Sequence, residues 1–318
     1  MTSDASQASL PGDASLSSGP LDVVPRGKRA LGLPHRHGAL LLSVAALLFS
    51  LMALCAKGAS QHLAGPQIAW LRFVVGIVVV ALPLARGYRM RPQNYGALLL
   101  RGLFGSFAVL TYFLAIAHLP VGIATLLNSS SPLFVALFSF LFLRESLHTR
   151  TLLSLLVTAG GVALVVLGNA QGAAGAALSA HSIGWALIGL LSAVLAGAAV
   201  TTVRSMRQTE GSWEIYLAFC CVGSLTMAVP GCLTWVPPTK TDLAWVVAMG
   251  LCSAIAQVAM THALRDVRAV TAALILQLTP IATLLLGALL FAEHPSALGL
   301  LGAAITLLGV TWGTIARA

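Results

Sequence analysis

Arg72 is the residue whose type and position in this sequence most clearly suggest chemistry. It lies inside the apolar segment 67–84, and a charge in the middle of a membrane-spanning helix costs about 3 kcal/mol on insertion scales. Such a residue usually faces protein or water, where its forked guanidinium suits a carboxylate or a phosphate. Alternatively, Arg72 lies close enough to the end of the segment to snorkel toward the lipid headgroups. The sequence alone favours neither interpretation.

Two prolines lie inside apolar segments and have polar neighbours. Pro132 and Pro280 each remove a backbone donor and free a carbonyl within a predicted helix, so both are predicted to kink their helices. Asn128 precedes the first proline and Gln277 precedes the second. Because these polar groups cluster beside the freed carbonyls, we predict that both amides line a cavity near the membrane midplane.

Tyr112 and Gln257 complete the predicted binding site. Tyr112 is suited to stack on a substrate, and Gln257 shares one helix face with Ser253 and Thr261 because these residues recur every four positions. The predicted substrate-binding residues are Arg72, Tyr112, Asn128, Gln257 and Gln277. For the neighbouring hydroxyl side chains, the alternative is that they satisfy backbone carbonyls or hold helices together.

The sequence lacks the patterns typical of an enzyme or an ATP-driven pump. It has no Walker lysine motif, no HExxH and no pair of catalytic acids within its apolar segments. We therefore predict no catalytic residue, no metal site and no cofactor. No apolar segment has an acid at its middle, which favours exchange or downhill export over proton symport, although His262 leaves proton coupling open.

The composition is that of a polytopic membrane protein. Of 318 residues, 58% are hydrophobic and 8% are charged, with a mean hydropathy of +0.92, whereas about a quarter of a soluble domain is charged. A bilayer core needs roughly 20 apolar residues per helix. Ten such segments are predicted, at 38–56, 67–84, 96–117, 121–142, 150–168, 183–203, 213–235, 242–263, 269–291 and 297–315.

The basic residues follow the positive-inside rule. With a cytoplasmic N-terminus, Lys57 and Lys240 are the only basic residues on the outside, and the remaining lysines and arginines of the loops and helix ends, Arg101 among them, fall on the cytoplasmic side. The net charge of +9 is thus explained by membrane topology rather than by nucleic acid. We predict both termini in the cytoplasm and, as partners, a lipid bilayer and a small-molecule substrate. The oligomeric state is left open.

The chain contains an internal repeat. The segment 126–145 returns as 274–293, and its proline and glutamate recur at a constant separation of 148 residues. Because five helices per copy is an odd number, the second copy begins on the opposite side of the membrane, which gives two inverted halves. The predicted divisions are a disordered cytoplasmic leader at 1–37, a first repeat at 38–168, an external linker at 169–182 and a second repeat at 183–318.

This arrangement resembles the drug/metabolite transporter superfamily, EamA type, over residues 38–315. The resemblance rests on a proline in the fourth helix of each copy and a glutamate just beyond that helix. Its local motifs are Ser131–Leu133, Arg144–Ser146, the degenerate second copy Ala292–His294, and the passage Tyr112–Ala124. It implies an all-α membrane protein of ten helices in two inverted five-helix repeats. It does not indicate the substrate, since members carry amino acids, sugars, nucleotide sugars, drugs and other metabolites.

We therefore predict an inner-membrane transporter, an exporter or exchanger, that moves an amino acid or similar organic anion by alternating access. One alternative is efflux of a drug-like or cationic compound. Another alternative, from a different class, is a membrane scaffold that transports nothing.

Overall fold

The computed structural model describes residues 33–118, 125, 127–169, 180–291 and 296–315, and every regular element within these residues is a helix. The first half contains α1 (Leu33–Ala59), α2 (Gly65–Ala85), α3 (Tyr95–His118), α4 (Ser131–Leu143) and α5 (Thr149–Asn169). The second half contains α6 (Ala180–Met206), α7 (Ser212–Leu233), α8 (Lys240–Ala263), α9 (Ala269–Leu276), α10 (Leu278–Phe291) and α11 (Ala297–Ile315).

Seven stretches within the described residues are long and apolar enough to cross a bilayer, and α9 with α10 together form one of them. The three shorter apolar helices are Ser131–Leu143, Thr149–Val165 and Ala297–Gly313. The predicted all-α membrane class is confirmed, but the count of ten full spans is not. The leader to residue 32, the linker at 170–179 and the motif around Glu293 lie outside the described residues.

Local sequence sets several of the helix boundaries. Pro66 lies in the first turn of α2, where its missing N–H removes no helical hydrogen bond. Thr239 and Asp242 form a reciprocal capping box at the start of α8. Gly87 has a φ of 85° just after α2, a conformation that costs glycine little because it has no Cβ.

The helices contact one another in pairs that are related by exchange of the two halves. The contact of α1 with α8 matches that of α3 with α6, and the contact of α2 with α8 matches that of α3 with α7. The packing of α4 on α6 likewise matches that of α1 on α9 and α10. Three further contacts are each between equivalent helices of the two halves and map onto themselves on exchange: α2 with α7, α4 with α9, and α5 with α11. The halves therefore pack around a pseudo-two-fold axis.

Glycines allow the closest of these contacts. A Cβ on Gly161 of α5 would lie 2.5 Å from the backbone nitrogen of Thr306 on α11. Residues 148 positions further on repeat the arrangement, because a Cβ on Gly309 would lie 2.8 Å from the backbone nitrogen of Thr158. Helices α5 and α11 thus approach through matched small residues, as is usual between helices in membranes.

The same reciprocity appears between α2 and α7. Gly76 faces Cys220, and the equivalent Gly223 faces the ring of Phe73. These four residues are related in pairs by a separation of 147 positions. The repeated sequence is therefore also a repeated set of packing contacts, and α2 and α7 lie close together where the arginines described next are found.

Candidate functional site

Two arginines approach one phenylalanine ring inside the bundle. The guanidinium carbon of Arg72, on α2, lies 4.6 Å from the ring centroid of Phe73 and 5.9 Å from that of Phe219, on α7. The guanidinium carbon of Arg101, on α3, lies 4.2 Å from the centroid of Phe219. Each arginine lies about two turns from the start of its helix, and consecutive helices start at opposite ends of the bundle. The two charges therefore reach Phe219 from opposite ends.

Three of the six nitrogens of these two guanidiniums are buried and have no acceptor among the described residues. Arg101 is 4% exposed; its Nη2 donates to Oε1 of Gln257 at 3.4 Å, and its Nε and Nη1 are buried without a partner. Nη1 of Arg72 lies 3.8 Å from Sδ of Met52, a weak acceptor, and its Nη2 is buried without a partner. Burying such charges unpaired is costly, so the site offers free donors to an anion.

The acids in the described part of the chain contact other groups. Glu145 pairs with Arg204 at 3.4 Å, Asp242 accepts from Thr239, and Asp266 is exposed in a loop. Glu210 and Glu214 bind the loop before α3, as described below. None of their contacts is with Arg72 or Arg101, so no described carboxylate neutralises the pair.

Arg101 corrects a sequence-based assignment. Its position near the start of segment 96–117 placed it among the cytoplasmic helix ends, but the structure buries its side chain within the bundle. Gly105, one turn further along α3, makes the space, because a Cβ there would collide with Nη1 of Arg101 and lie 2.7 Å from the Phe219 ring. An arginine followed four residues later by glycine, both inside an apolar segment, was the available signal.

The structure brings together only part of the predicted site. Gln257 contacts Arg101. Arg101 and Arg72 both approach the Phe219 ring, so these residues form one cluster. Tyr112 instead pairs its hydroxyl with Oγ1 of Thr125 at 2.9 Å, and Nδ2 of Asn128 donates to Oγ of Ser192 at 3.0 Å. Gln277 donates from Nε2 to the carbonyl oxygen of Ser129 at 2.9 Å. These three polar side chains each bind a protein group away from the arginines.

Both prolines follow an interruption in their helix. Pro132 lies in the first turn of α4 after a turn at Ser129 and Ser130, and Pro280 lies in the first turn of α10 after the break at Gln277. A first-turn proline removes no helical hydrogen bond, so each proline begins a new segment. The two interruptions are equivalent, and the hydrogen bond from Gln277 to Ser129 joins them.

One end of the bundle is joined by a set of loop contacts that we call the Gln67 latch. Gln67, at the start of α2, donates to the carbonyl oxygen of Val236 at 2.7 Å and accepts from its backbone N–H at 3.0 Å. Beside it, Nδ1 of His62 lies 2.7 Å from Oδ2 of Asp242. These contacts join the α1–α2 loop to the α7–α8 loop.

The opposite end has a set of contacts that we call the Glu214 latch. Glu214, at the start of α7, accepts from the hydroxyl of Tyr88 at 3.0 Å and from the backbone of Arg91 at 3.2 Å. Glu210 accepts from the backbone of Gln93 and Asn94. Partial burial and the hydrogen bond to Glu214 raise the pKa of Tyr88, so its hydroxyl remains a donor at neutral pH.

The two latches occupy equivalent positions in the repeat. Gln67 and Glu214 are 147 residues apart, and Asn94 and Asp242 are 148 residues apart. Exchange of the halves therefore converts one latch into the other. Their chemistry differs, because one is centred on an amide and the other on carboxylates.

These features define a helical membrane protein of two related halves, with unpaired positive charge inside the bundle and loop contacts at both ends. The profile of the EamA-like transporter family matches residues 36–167 and 183–314. The chain belongs to this family. The predicted family and the predicted role in membrane transport are thereby confirmed.

Relatives support the same assignment. The chain is 32% identical to the pseudopaline exporter CntI of Pseudomonas aeruginosa over 272 residues, which cover 84% of this chain and 92% of the relative. It is 23% identical to an uncharacterized transporter of Helicobacter pylori over 71% of this chain and 77% of the relative. A solved crystal structure at 23% identity covers 88% of this chain and 97% of its own, with a TM-score of 0.77, which supports the fold.

Proposed function

We propose that this chain is a secondary transporter of the inner membrane that exports or exchanges a small organic anion, such as an amino acid, by alternating access. The observation that carries the anion assignment is Arg72, whose buried Nη2 has no acceptor among the described residues. A positive site repels a cationic compound, which disfavours cationic efflux. Pseudopaline, which the Pseudomonas aeruginosa relative exports by name, is the first compound to test.

The two latches support alternating access. Because the halves pack around a pseudo-two-fold axis, exchanging their conformations would open one end while closing the other. The Gln67 latch would close the outer end and the Glu214 latch the inner end. Phe219 and the arginines lie between the two, where a substrate would be reachable from one end at a time.

The topology in this proposal has ten membrane segments in two inverted halves and both termini in the cytoplasm. We expect a reporter inserted in the linker 169–182 to be accessible only from the outside, because five segments precede it and the loop charges follow the positive-inside rule. Reporters in the 86–94 and 207–211 loops serve as controls and should be cytoplasmic. A linker on the cytoplasmic side would reverse the topology.

Weakening the Glu214 latch should open the inner end. In a variant with Cys220 as its only cysteine, Glu214→Ala removes the acceptor of Tyr88 and Arg91, so labelling of the buried Cys220 by a thiol reagent added from the cytoplasmic side should accelerate by about tenfold. Asp266→Ala, which removes an exposed loop acid, is the matched control and should leave the rate unchanged. Equal rates in both variants would remove the latch from the gating mechanism.

A proteoliposome uptake screen tests the transport activity itself. Pseudopaline, pooled amino acids, pooled organic acids and pooled cationic drug-like compounds are offered to vesicles that contain the purified chain, with protein-free vesicles as the control. We expect flux of an anionic compound. Flux of cationic compounds alone would support the drug-efflux alternative, and no flux of any pool would support a scaffold.

A further inference from the structure

We propose that Arg72 and Arg101 together form a site for a dianion, in which each guanidinium binds one carboxylate of the same substrate. The ring of Phe219 packs against the carbon chain between the two carboxylates. This inference rests on the proposed function and deepens it, because it specifies a substrate with two carboxylates rather than one.

The charge balance requires two negative groups. Two guanidiniums converge on one ring, and no carboxylate of the described residues contacts either of them. A monocarboxylate would neutralise one guanidinium and leave the other buried without a counter-charge, which is costly in a low-dielectric interior. A dicarboxylate neutralises both.

The two guanidiniums lie against aromatic rings and keep several hydrogen-bond donors free. The guanidinium carbon of Arg72 lies 4.6 Å from the ring centroid of Phe73, and that of Arg101 lies 4.2 Å from the centroid of Phe219. The N–H donors lie in the plane of the group, where they suit the two oxygens of a carboxylate. The unpartnered Nη2 of Arg72 and the unpartnered Nε and Nη1 of Arg101 are donors of this kind.

The two charges are close enough for one small molecule to reach both. Because both guanidinium carbons are measured to the Phe219 centroid, at 5.9 Å and 4.2 Å, they lie no farther apart than the sum of these distances. A short carbon chain with a carboxylate at each end spans such a gap across an apolar ring. Gly105 leaves room for the guanidinium of Arg101, and Gln257 accepts a hydrogen bond from Nη2 of Arg101.

Binding is tested on the purified full chain in detergent by the shift in its thermal unfolding midpoint. The probes are the linear dicarboxylates from malonate to adipate. The two four-carbon controls are butyrate, which carries one carboxylate, and putrescine, which carries two amines. We expect at least one dicarboxylate to stabilise the chain and both controls to have little effect. No stabilisation by any dicarboxylate, or equal stabilisation by butyrate, would overturn the dianion site.

Single substitutions separate a binding role from a structural one. Arg101→Gln and Arg72→Gln should each weaken dicarboxylate binding by about tenfold or more, because each removes one charge-assisted contact. Neither should lower the unfolding midpoint without ligand, because each also removes an unpaired buried charge. A fall in that midpoint with dicarboxylate affinity unchanged would assign the arginine a structural role and overturn the inference.

Gly105→Ala tests the geometry without removing a charge. Its methyl group displaces the guanidinium of Arg101, so dicarboxylate binding should weaken although both arginines remain. Gly160→Ala is the matched control, since a Cβ at Gly160 has no atom within 4 Å, and it should bind as the unchanged chain does. Unchanged binding in Gly105→Ala would contradict the proposed position of Arg101.

The outcomes distinguish this inference from the transport function. If vesicles transport a monoanionic compound and no dicarboxylate binds, the dianion site is wrong and the proposed anion transport stands. If dicarboxylates bind and depend on both arginines while no pool gives flux, the site stands and the transport function fails.

Discussion

Arg72→Ala should nearly abolish transport while the chain still inserts into the membrane. The substitution removes a charged donor group, and losing a charge-assisted hydrogen bond costs about 1.5–3 kcal/mol. This corresponds to a loss of roughly ten- to hundredfold in apparent affinity. Arg72→Lys should lose less, because it keeps the charge and loses only the two-pronged geometry. The measurement is the initial rate of uptake into proteoliposomes at matched protein density.

The matched control for Arg72 is Arg86, an exposed arginine at the C-terminal end of the same helix. Arg86→Ala changes the net charge by the same amount and should transport normally. A snorkelling Arg72 would give a different pattern, in which Arg72→Ala and Arg72→Lys both transport with unchanged apparent affinity. That pattern would remove Arg72 from the binding site, although its buried Nη2 and its position over Phe73 favour the site.

Gly161→Leu should destabilise the fold more than any of the substitutions at the arginines. A side chain at this position meets the backbone of Thr306 and Gly302 on α11, and backbone atoms cannot move aside without separating the helices. Overpacking of this kind costs typically 1–3 kcal/mol and occasionally more, and backbone contacts place Gly161→Leu at or above about 3 kcal/mol. The free energy of unfolding, followed by denaturant titration in detergent, measures the effect.

The neighbouring glycine provides the control. Gly160→Leu adds the same side chain one position earlier. A Cβ at Gly160 would have no neighbouring atom within 4 Å, so the free energy of unfolding should change little. Gly309→Leu should behave like Gly161→Leu, because Gly309 makes the equivalent contact with Thr158. Equal tolerance of leucine at positions 160 and 161 would contradict the close approach of α5 and α11.

The sequence predicted the repeat and its consequences for packing well. Hydropathy identified the membrane class, and the separation of 148 residues found for the repeat also relates Gly161 to Gly309, which make equivalent contacts with α11 and α5. The family matches to both halves confirm the repeat. These features were predictable because a duplicated chain has to bury duplicated apolar faces.

Arg101 was not predictable from the same signals. Hydropathy and the positive-inside rule give the position of a residue along its helix, but they do not give the direction of its side chain around the helix axis. That direction depends on the neighbouring helix, here on Phe219 of α7, and on the space left by Gly105. The spacing of Arg101 and Gly105 is visible in the sequence, but the packing is needed to show that the second positive charge belongs to the site.

The amides illustrate the same limit. Asn128 and Gln277 were expected beside a cavity because they precede Pro132 and Pro280, and in the structure their partners are Ser192 and the backbone of Ser129. The sequence shows that an amide requires hydrogen bonds but does not show which neighbour provides them. Their assignment to substrate binding remains a prediction.

The latches have a consequence for the resting state of the protein. If the two halves were identical, the inward-facing and outward-facing states would have equal free energies and equal populations. Any bias between them must come from positions where the repeat has diverged, and Gln67 and Glu214 are such a pair. Exchanging the two residues, by Gln67→Glu with Glu214→Gln, would reverse the sign of their contribution to the free-energy difference between the two states. The side on which the empty transporter waits for its substrate can thus be changed at two positions near the loops, without replacing a residue that is proposed to bind the substrate.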